Sequence, residues 1–558
     1  MTMFDKVLIA NRGEIAVRVT RTCRRLGVSS VAVYSDIDER SLHVSVADEG
    51  VRLPGSSPAE TYLNGERVIE AALRTGAEAV HPGYGFLSEN AEFAHAVGEA
   101  GLTWIGPPPA AIRALGDKIS ARQIAAAAGV PVVPGLLHEI ADPDEVAAFA
   151  AEHGYPIAVK AAGGGGGRGM KLVSSQRDIA DALASAKREA SAYFGSGAVY
   201  VERYLSAPKH LEVQLLAPSE NEAMWLGVRD CSLQRRHQKL LEETPPPMWS
   251  ERADEMGDAS VALSKASGYV NAGTVEMLVD GDGNFFFLEV NSRLQVEHTV
   301  TEEVFDRDLV ECQLQIASGD GLDFSQADLH PHGHAIECRI NAEDPGRGFL
   351  PSPGALGSYD EPRGSHLRVD SGYRAGDEVP GEYDSLIAKV IAWGRDRDEA
   401  RLRMVEALRA FEIRGVPTTI PAHLMLLGHE EFLRGEHTTS TVEGTSVLDA
   451  LKAGESVDGS LMFEGRSVRL WNPSMSASAA AAVHPGAASG RVTAPMQGTV
   501  LNVLVEMGST VNVGDALMTI EAMKMETVIF APRDGVVVAL NAAGGDVVTA
   551  GEALADIE

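Results

Sequence analysis

Cysteine is scarce in this chain of 558 residues. Cys23, Cys231, Cys312 and Cys338 are the only four, and they show no CxxC pair and no regular spacing. A disulfide framework is not expected; buried thiols of a cytosolic protein are. Positive charge is also in short supply. Against 79 Asp and Glu stand 48 Lys and Arg, a net charge of −31. That argues against a binder of nucleic acid or of an anionic membrane, whose footprint is a basic face. Anionic substrates would need a local basic site to hold them against the field of the whole molecule. Long apolar runs are missing too. Val7–Ala10 is far too brief for a signal peptide, and Ile124–Leu137 is short and broken by Pro131 and Pro134. The expectation is a soluble cytoplasmic protein without a membrane span.

What is present suffices for several cores: 44% of residues are apolar and 23% charged. At roughly 150 residues per domain, about three to four domains are expected. The N-terminus alternates strand and helix. Lys6–Ala10 reads as a strand, Glu14–Leu26 as a helix ending at Gly27, and Val31–Ser35 as the next strand. This βαβ pattern, recurring to Trp104–Ile105, predicts a parallel sheet with helices on its faces. From about 115 the pattern becomes α+β. Strand-like Ile157–Ala161 and Met170–Ser174 flank a glycine run, and Thr274–Val279 and Phe285–Val290 follow. A third region, 331–446, holds strand-like Ala335–Ile340 and Leu386–Trp393 and a charged helical stretch, Asp396–Phe411.

Residues 472–490 contain no Asp, Glu, Lys or Arg, and read as a linker. As a flexible coil it would span about 24 Å root-mean-square. The tail, 491–558, is an internal repeat. Shifted by 37, Ala494-Pro495 meets Ala531-Pro532, and Gly498, Gly508 and Gly514 meet Gly535, Gly545 and Gly551. Val500, Val511, Leu517 and Ile520 likewise meet Val537, Val548, Leu554 and Ile557. Two β-halves, each too small to bury a face alone, should close as a flattened barrel or sandwich. Between them lies Glu521–Phe530, with Lys524 at the tip of the expected hairpin. A lysine between Met523 and Met525 is unusual at a loop tip. It fits a site of covalent modification, although any single lysine also fits a plain surface position.

Three further segments bear on chemistry. The run Gly163–Gly167, followed by Arg168-Gly169, lets backbone N–H groups turn toward one anion because no Cβ blocks their approach. No Gly-Lys-Ser/Thr follows, so it is not a Walker A loop. Its place between strands beside Lys160 favours a phosphate-covering lid over a plain flexible turn. In the hairpin Thr274–Asn291, a turn centred between Asp282 and Gly283 pairs Glu276 with Glu289, and puts Asn291 on the face of Glu289. Two carboxylates and an amide oxygen suit Mg²⁺; a solvent-facing acidic hairpin is the alternative. An EF-hand fails, since Phe285 stands where Gly is needed. Next come Arg293, a fork for a small oxyanion, and Glu297, a candidate general base. Arg235-Arg236-His237-Gln238-Lys239 supplies local positive charge, and His210 lies on an alternating, strand-like segment. Each of these alone also fits an ordinary surface or structural residue.

Together, these segments resemble the biotin-carboxylase branch of the ATP-grasp enzymes. KVLIANRGEIAVRV at 6–19, HPGYGFLSEN at 81–90, GDK at 116–118 and GGGGGRGM at 163–170 match that branch. So do RDCSLQRRHQK at 229–239, EVNSRLQVEH at 289–298 and ECRINAED at 337–344. The tail resembles biotin carboxyl carrier domains; lipoyl domains share that fold but typically lack the two methionines. The resemblance implies a multidomain α/β and α+β fold. A Rossmann-like domain would occupy 1–114, an ATP-grasp domain 115–330 and a biotin carboxylase C-terminal domain 331–446. A connector and linker over 447–490 and an all-β biotinyl flattened barrel over 491–558 complete it.

It also implies roles. Lys118, Lys160 and His210 would contact ATP, with Gly165, Gly166, Gly167 and Met170 in the lid, Glu202–Leu205 as the adenine hinge and His237 completing the set. Glu276, Glu289 and Asn291 would hold Mg²⁺ or Mn²⁺. Lys239, Arg293, Gln295 and Val296 would bind bicarbonate, Glu297 would deprotonate it, and Arg339 would stabilise the biotin enolate. Ser292 and Thr419 depart mildly from the pattern, where threonine and asparagine are common.

The implied activity is ATP-dependent carboxylation, through carboxyphosphate, of biotin attached to Lys524 by a biotin protein ligase. A carboxyltransferase needs several hundred residues, so a separate β subunit is expected in an α/β hetero-oligomer, carboxylating acetyl-CoA or propionyl-CoA. The α subunit of a two-subunit pyruvate carboxylase is one alternative. A carrier or scaffold without catalysis is another.

Overall fold

Strands buried on both faces need helices on either side, and the first lobe supplies them. The structure is a computed structural model. It describes residues 3–163, 170–194, 196–444, 460–463, 466–469, 490–494, 498–522, 525–549 and 551–558. Strands β1 (Lys6–Ile9), β2 (Ser29–Tyr34), β3 (Glu49–Arg52), β4 (Ala79–His81) and β5 (Thr103–Trp104) form one parallel sheet, ordered β3-β2-β1-β4-β5. This is the expected Rossmann-like arrangement. The helix Gly13–Leu26 leads from β1 to β2 and stops at Gly27, whose φ of 75° lets its N–H reach the carbonyls of Cys23 and Arg24. Before that helix, buried Arg12 grips Asp38 through two bonds of 2.7 and 2.8 Å. Val7, Ile9, Ile15 and Val19 share a core with Leu294, Val300, Val304 and Leu309. The lobe is thereby packed against the segment that carries Arg293 and Glu297.

Strands β6 (Ile157–Ala161), β7 (Lys171–Val173) and β8 (Val199–Arg203) make a small antiparallel sheet, with β6 in the middle. The glycine run joins β6 to β7 as expected; Gly165, Gly166 and Gly167 lie outside the described residues. A larger antiparallel sheet follows. It comprises β9 (Lys209–Ser219), β10 (Glu222–Arg235), β11 (Gln238–Thr244), β12 (Asn271–Val279), β13 (Phe285–Asn291) and β14 (His334–Asn341). Two further strands, Leu386–Gly394 and Leu367–Ser371, extend it beyond β14 in the order β13-β12-β9-β10-β11-β14 and outward. Hydrogen bonding between β11 and β14 therefore runs straight across residue 330, and the α+β region and the third region share one sheet. The charged stretch is the helix Arg397–Ala410, capped by the Asp396 side chain. All four cysteines are buried and unbridged. Among the described residues no helix is long and apolar enough to cross a membrane.

The chain divides into two compact units, the second comprising Ala342–Ala355, Glu378–Ser385 and the chain from Ala450 onward. Within the second, Ser460–Phe463 and Arg466–Arg469 form an antiparallel hairpin. The sequence reading had only a connector there.

The tail closes as two four-stranded sheets, the flattened barrel that the repeat predicts. Gly498–Val503 and Gly535–Leu540 are equivalent strands under the 37-residue shift, as are Thr510–Val511 and Val547–Val548. Hydrogen bonds obey the same shift. Gly508 N–H donates to the Val537 carbonyl and Gly545 N–H to the Val500 carbonyl, at 2.8 and 2.7 Å. Each half thus completes the other. Strands Ala516–Ala522 and Met525–Phe530 pair with Ala522 opposite Met525; Lys524, between them, lies outside the described residues.

The symmetry carries an energetic consequence. Leu517 and Leu554 occupy equivalent, fully buried positions. Leu517→Ala and Leu554→Ala should each destabilise the barrel by about 2–5 kcal/mol. Amide exchange in the full chain should show a matching loss of protection at Val500 and Val537. A loss confined to the mutated half would contradict mutual completion.

Candidate active site

The hairpin β12–β13 places Glu276 opposite Glu289 and Thr274 opposite Asn291, as the spacing predicts. The route differs from the expectation. Toward the turn the register is shifted by one, with Met277 opposite Phe287, and a bulge restores the 276–289 pair. Like charges so placed repel, and the site separates their partners. Glu289 takes Lys118 Nζ at 2.8 Å. Glu276 Oε1 accepts from Lys239 Nζ at 2.9 Å, Asn291 Nδ2 at 2.8 Å and Gln295 Nε2 at 3.1 Å. Its other oxygen lies 3.1 Å from His210 Nε2. Burial opposes ionisation of Glu276, but Lys239 and His210 overcome it and hold the carboxyl well below its usual range. His210 is raised in return: burial lowers it and Glu276 more than compensates.

Lys239 is the hub. Its ammonium also meets Glu212 at 2.5 Å and Glu297 at 2.6 Å. Arg229, fully buried, supports Glu212 from the far side at 2.6 Å and bonds Gln214, Thr274 and Thr301. The sequence reading missed Glu212 and Arg229. For Glu212 a signal existed: it stands two residues from His210 on an alternating strand, hence on the same face.

Glu297, fully buried, begins the helix His298–Phe305 and gives its second oxygen to Arg339 at 2.8 Å. Burial would raise its pKa; Lys239, Arg339 and Arg229 keep it ionised, well below the ordinary range. Arg339 also grips Glu242, Nε to Oε1, at 2.6 Å. Its main-chain carbonyl is held by Thr419 Oγ1 and His423 Nε2, each at 2.7 Å. Thr419, one of the two departures from the family pattern, thus braces the arginine's own backbone. Arg293 Nε meets Glu89 at 3.0 Å, and its other nitrogens reach the Asn291 and Gln295 side-chain oxygens at 3.0 and 3.3 Å. Glu89 comes from the 81–90 segment of the first lobe. The Val296 carbonyl accepts from the fully buried Lys389 at 2.8 Å. Neither Glu89 nor Lys389 was singled out from sequence.

The remaining predicted residues come from around β6–β8 and from the β10–β11 turn. Lys160 pairs with Glu202, which Arg122 also meets at 2.6 Å. Burial raises Glu202, but the two cations leave it below its ordinary range. Leu205 and Met170 are half-buried. His237 is exposed at the β10–β11 turn, where Arg236 and His237 have φ of 46° and 64°, a strained conformation for residues with side chains. Of the basic cluster, then, Lys239 points into the site and His237 stands at its edge.

Hard oxygen donors on one hairpin face fit Mg²⁺ or Mn²⁺. Glu276 and Glu289 supply the charge. Asn291 now offers its NH₂ to Glu276 and its oxygen to Arg293. His210, Glu212 and Glu276 also place ligand atoms within 4.8 Å of one another.

Family models match nearly end to end. Residues 3–112 match "Biotin carboxylase, N-terminal domain", 117–325 "Carbamoyl-phosphate synthase L chain, ATP binding domain", 337–444 "Biotin carboxylase C-terminal domain" and 490–557 "Biotin-requiring enzyme". A biotin-dependent acyl-coenzyme A carboxylase alpha3 subunit of Mycobacterium leprae is 44% identical, covering 99% of this chain and 98% of its own. The A subunit of pyruvate carboxylase from Methanothermobacter thermautotrophicus is 47% identical over 80% of this chain and 91% of its own. Among solved structures, the biotin carboxylase domain dimer of Hydrogenobacter thermophilus 2-oxoglutarate carboxylase, with MgADP, ADP and bicarbonate, has a TM-score of 0.77. It is 44% identical and covers 80% of this chain and 99% of that one. Fold, charge network and likeness along its whole length agree: the chain belongs to the family of biotin-dependent acyl-CoA carboxylase α subunits, in which an ATP-dependent biotin carboxylase is joined to a biotinyl domain.

Proposed function

We propose that the residues around Lys239 carry out the ATP-dependent carboxylation of biotin, and that a separate carboxyltransferase β subunit then passes the carboxyl group to acetyl-CoA or propionyl-CoA. The observation that carries this reading is the single ammonium joining Glu276, on the nucleotide side, to Glu297, the base. In this reading bicarbonate sits between Lys239 and Arg293, beside Gln295 and the Val296 backbone. An anion there competes with Glu297 for Lys239, and so raises the basicity of a carboxylate now held strongly acidic. Glu297 takes the bicarbonate proton. The freed oxygen attacks the γ-phosphorus of ATP, the bond to ADP breaks, and carboxyphosphate forms. Lys118, Lys160 and His210 neutralise the phosphates, with Gly165, Gly166, Gly167 and Met170 covering them. Glu202–Leu205 and His237 hold the nucleoside.

Glu276, Glu289 and Asn291 would hold the divalent cation, which supplies charge neutralisation on the transferring phosphoryl group. Biotin, when attached, supplies the nitrogen that accepts the carboxyl group. Arg339 faces the charge that develops on that acceptor. Lys524 is the proposed attachment point, loaded by a biotin protein ligase in the cytoplasm. Tethering raises the cofactor's local concentration. The proposed segments are 1–114, 115–330, 331–446, the connector 447–490 and the biotinyl segment 491–558, within an α/β hetero-oligomer.

A two-subunit pyruvate carboxylase is the second reading, favoured by the likeness to the Methanothermobacter protein. Assays with purified β subunits and acetyl-CoA, propionyl-CoA or pyruvate distinguish the two; the acyl-CoAs are expected to be carboxylated. Carboxylation of pyruvate alone would reverse the assignment. Lys524→Ala should abolish streptavidin reactivity while sparing carboxylation of free biotin, and a retained signal would move the attachment site elsewhere. Glu289→Gln should slow bicarbonate-dependent ATP cleavage by ~10²-fold, about 2.7 kcal/mol of transition-state stabilisation. Near-normal turnover would remove Glu289 from the metal site.

A further inference from the structure

One pair of buried acids has no part in that scheme. Glu242 on β11 and Glu337 on β14 stand directly opposite in the antiparallel register, so their side chains leave the sheet on one face. Both are fully buried. Their oxygens are unevenly served. Glu242 Oε1 accepts from Arg339 at 2.6 Å, and Glu337 Oε2 accepts from the Thr299 hydroxyl. Glu242 Oε2 and Glu337 Oε1 have no hydrogen-bond partner among the described residues. A buried oxygen without a donor is costly, and so are two unscreened like charges. A single proton removes both problems. Carried on Glu242 Oε2 and donated to Glu337 Oε1, it would satisfy both orphan oxygens and leave Glu242 Oε1 as the acceptor for Arg339.

We propose that Glu242 and Glu337 share one proton at neutral pH, and that this pair is a positioning element that frees Arg339 for an anionic acceptor. The charged groups around the pair come from four elements. They are Arg339 on β14, Lys239 on β11, Glu297 at the start of the helix His298–Phe305, and Lys389 on Leu386–Gly394. Lys389 lies 3.3 Å from Glu14 of the first lobe. Burial acts most strongly on both acids and raises them. Glu297 pushes both the same way, and Glu337 also raises Glu242. Arg339 opposes this at both acids, with Lys239 at Glu242 and Lys389 and the Thr299 bond at Glu337, without cancelling it. Glu242 is pushed up to about 8 and Glu337 to about 7.

The consequence for Arg339 rests on the proposed roles of Arg339 and Glu297 in biotin carboxylation. With Glu242 neutral, Arg339 has one ionised hydrogen-bond partner, Glu297, and the ionised Glu337 acts on it only through space. Once Glu297 accepts the bicarbonate proton, that counter-charge is gone. The guanidinium is then without an ionised hydrogen-bond partner as charge develops on the acceptor. Were the pair fully ionised, Glu242 would still neutralise the arginine, and the two half-steps would be uncoupled.

Glu242→Gln and Glu337→Gln keep the size of a protonated acid without its charge. Infrared difference spectra of the full chain at neutral pH, wild type minus each variant, should contain the carbonyl stretch of an un-ionised carboxylic acid, shifting in D₂O. Stability gives a second reading. A raised folded pKa stabilises fully below the ordinary carboxylate range and loses that stabilisation as pH rises through about 7 to 8. Wild type should lose stability through that window relative to Glu242→Gln. The rate of bicarbonate-dependent ATP cleavage with free biotin should decline over the same window in wild type but not in Glu242→Gln. No acid band in either difference spectrum overturns the shared proton. Neither spectra nor stability involves turnover, so that result leaves the biotin carboxylase reading untouched. A band together with an unchanged alkaline decline in Glu242→Gln overturns the positioning role.

Discussion

Charge inside a protein is tolerable only when it is paired, and the first unit is organised around that constraint. Lys239 touches Glu212, Glu276 and Glu297, which come from β9, from β12 and from the start of a helix. Arg229, His210 and Arg339 balance what one ammonium cannot. Losing Lys239 would leave three carboxylates short of charge at once, so the hub fixes the relative positions of the elements that carry it. Protein groups alone hold these charges in place, as a preorganised electrostatic site requires.

The same network reconciles an acidic protein with anionic substrates. The net charge is −31, yet the cations of the site do not stand alone. Instead, Lys118, Lys160, Lys239, Arg293 and Arg339 are each paired with a glutamate. Incoming anions would compete for cations already in place, and binding becomes an exchange of partners. A glutamate partly released by that exchange becomes more basic at the moment a base is needed.

Much of this was legible in the sequence, for identifiable reasons. Strand periodicity and a five-residue turn were enough to place Glu276 against Glu289, although the bulge that achieves it left no mark. The tail repeat predicted the barrel because a shift of 37 residues preserves both the turns and the inward positions. Long-range partners were not legible. Lys239 and Glu297 are 58 positions apart, and Arg293 and Glu89 are 204 apart. Nothing local tells a glutamate on a strand that it will meet a lysine from another. Lys389 and Arg229 read as ordinary basic residues until burial shows otherwise. The paired strands Ser460–Phe463 and Arg466–Arg469 were missed because four-residue strands are too short for periodicity to mark them.

The exchange of hydrogen bonds between the tail's halves also relates two strand pairs. Under the 37-residue shift, the strands that meet at Ala522 and Met525 correspond to those that meet where Arg491 pairs with Asp556. One pair is closed by the turn proposed to bear the cargo. The other stays open, and through it the polypeptide enters and leaves. Duplication therefore yields two matching strand pairs, one beside residue 490 and one beside the proposed attachment point. Because both pairs contribute to one core, Val492 and Ile557 from one and Ile520 and Ile529 from the other, a torque on either pair would reach the other through packed side chains.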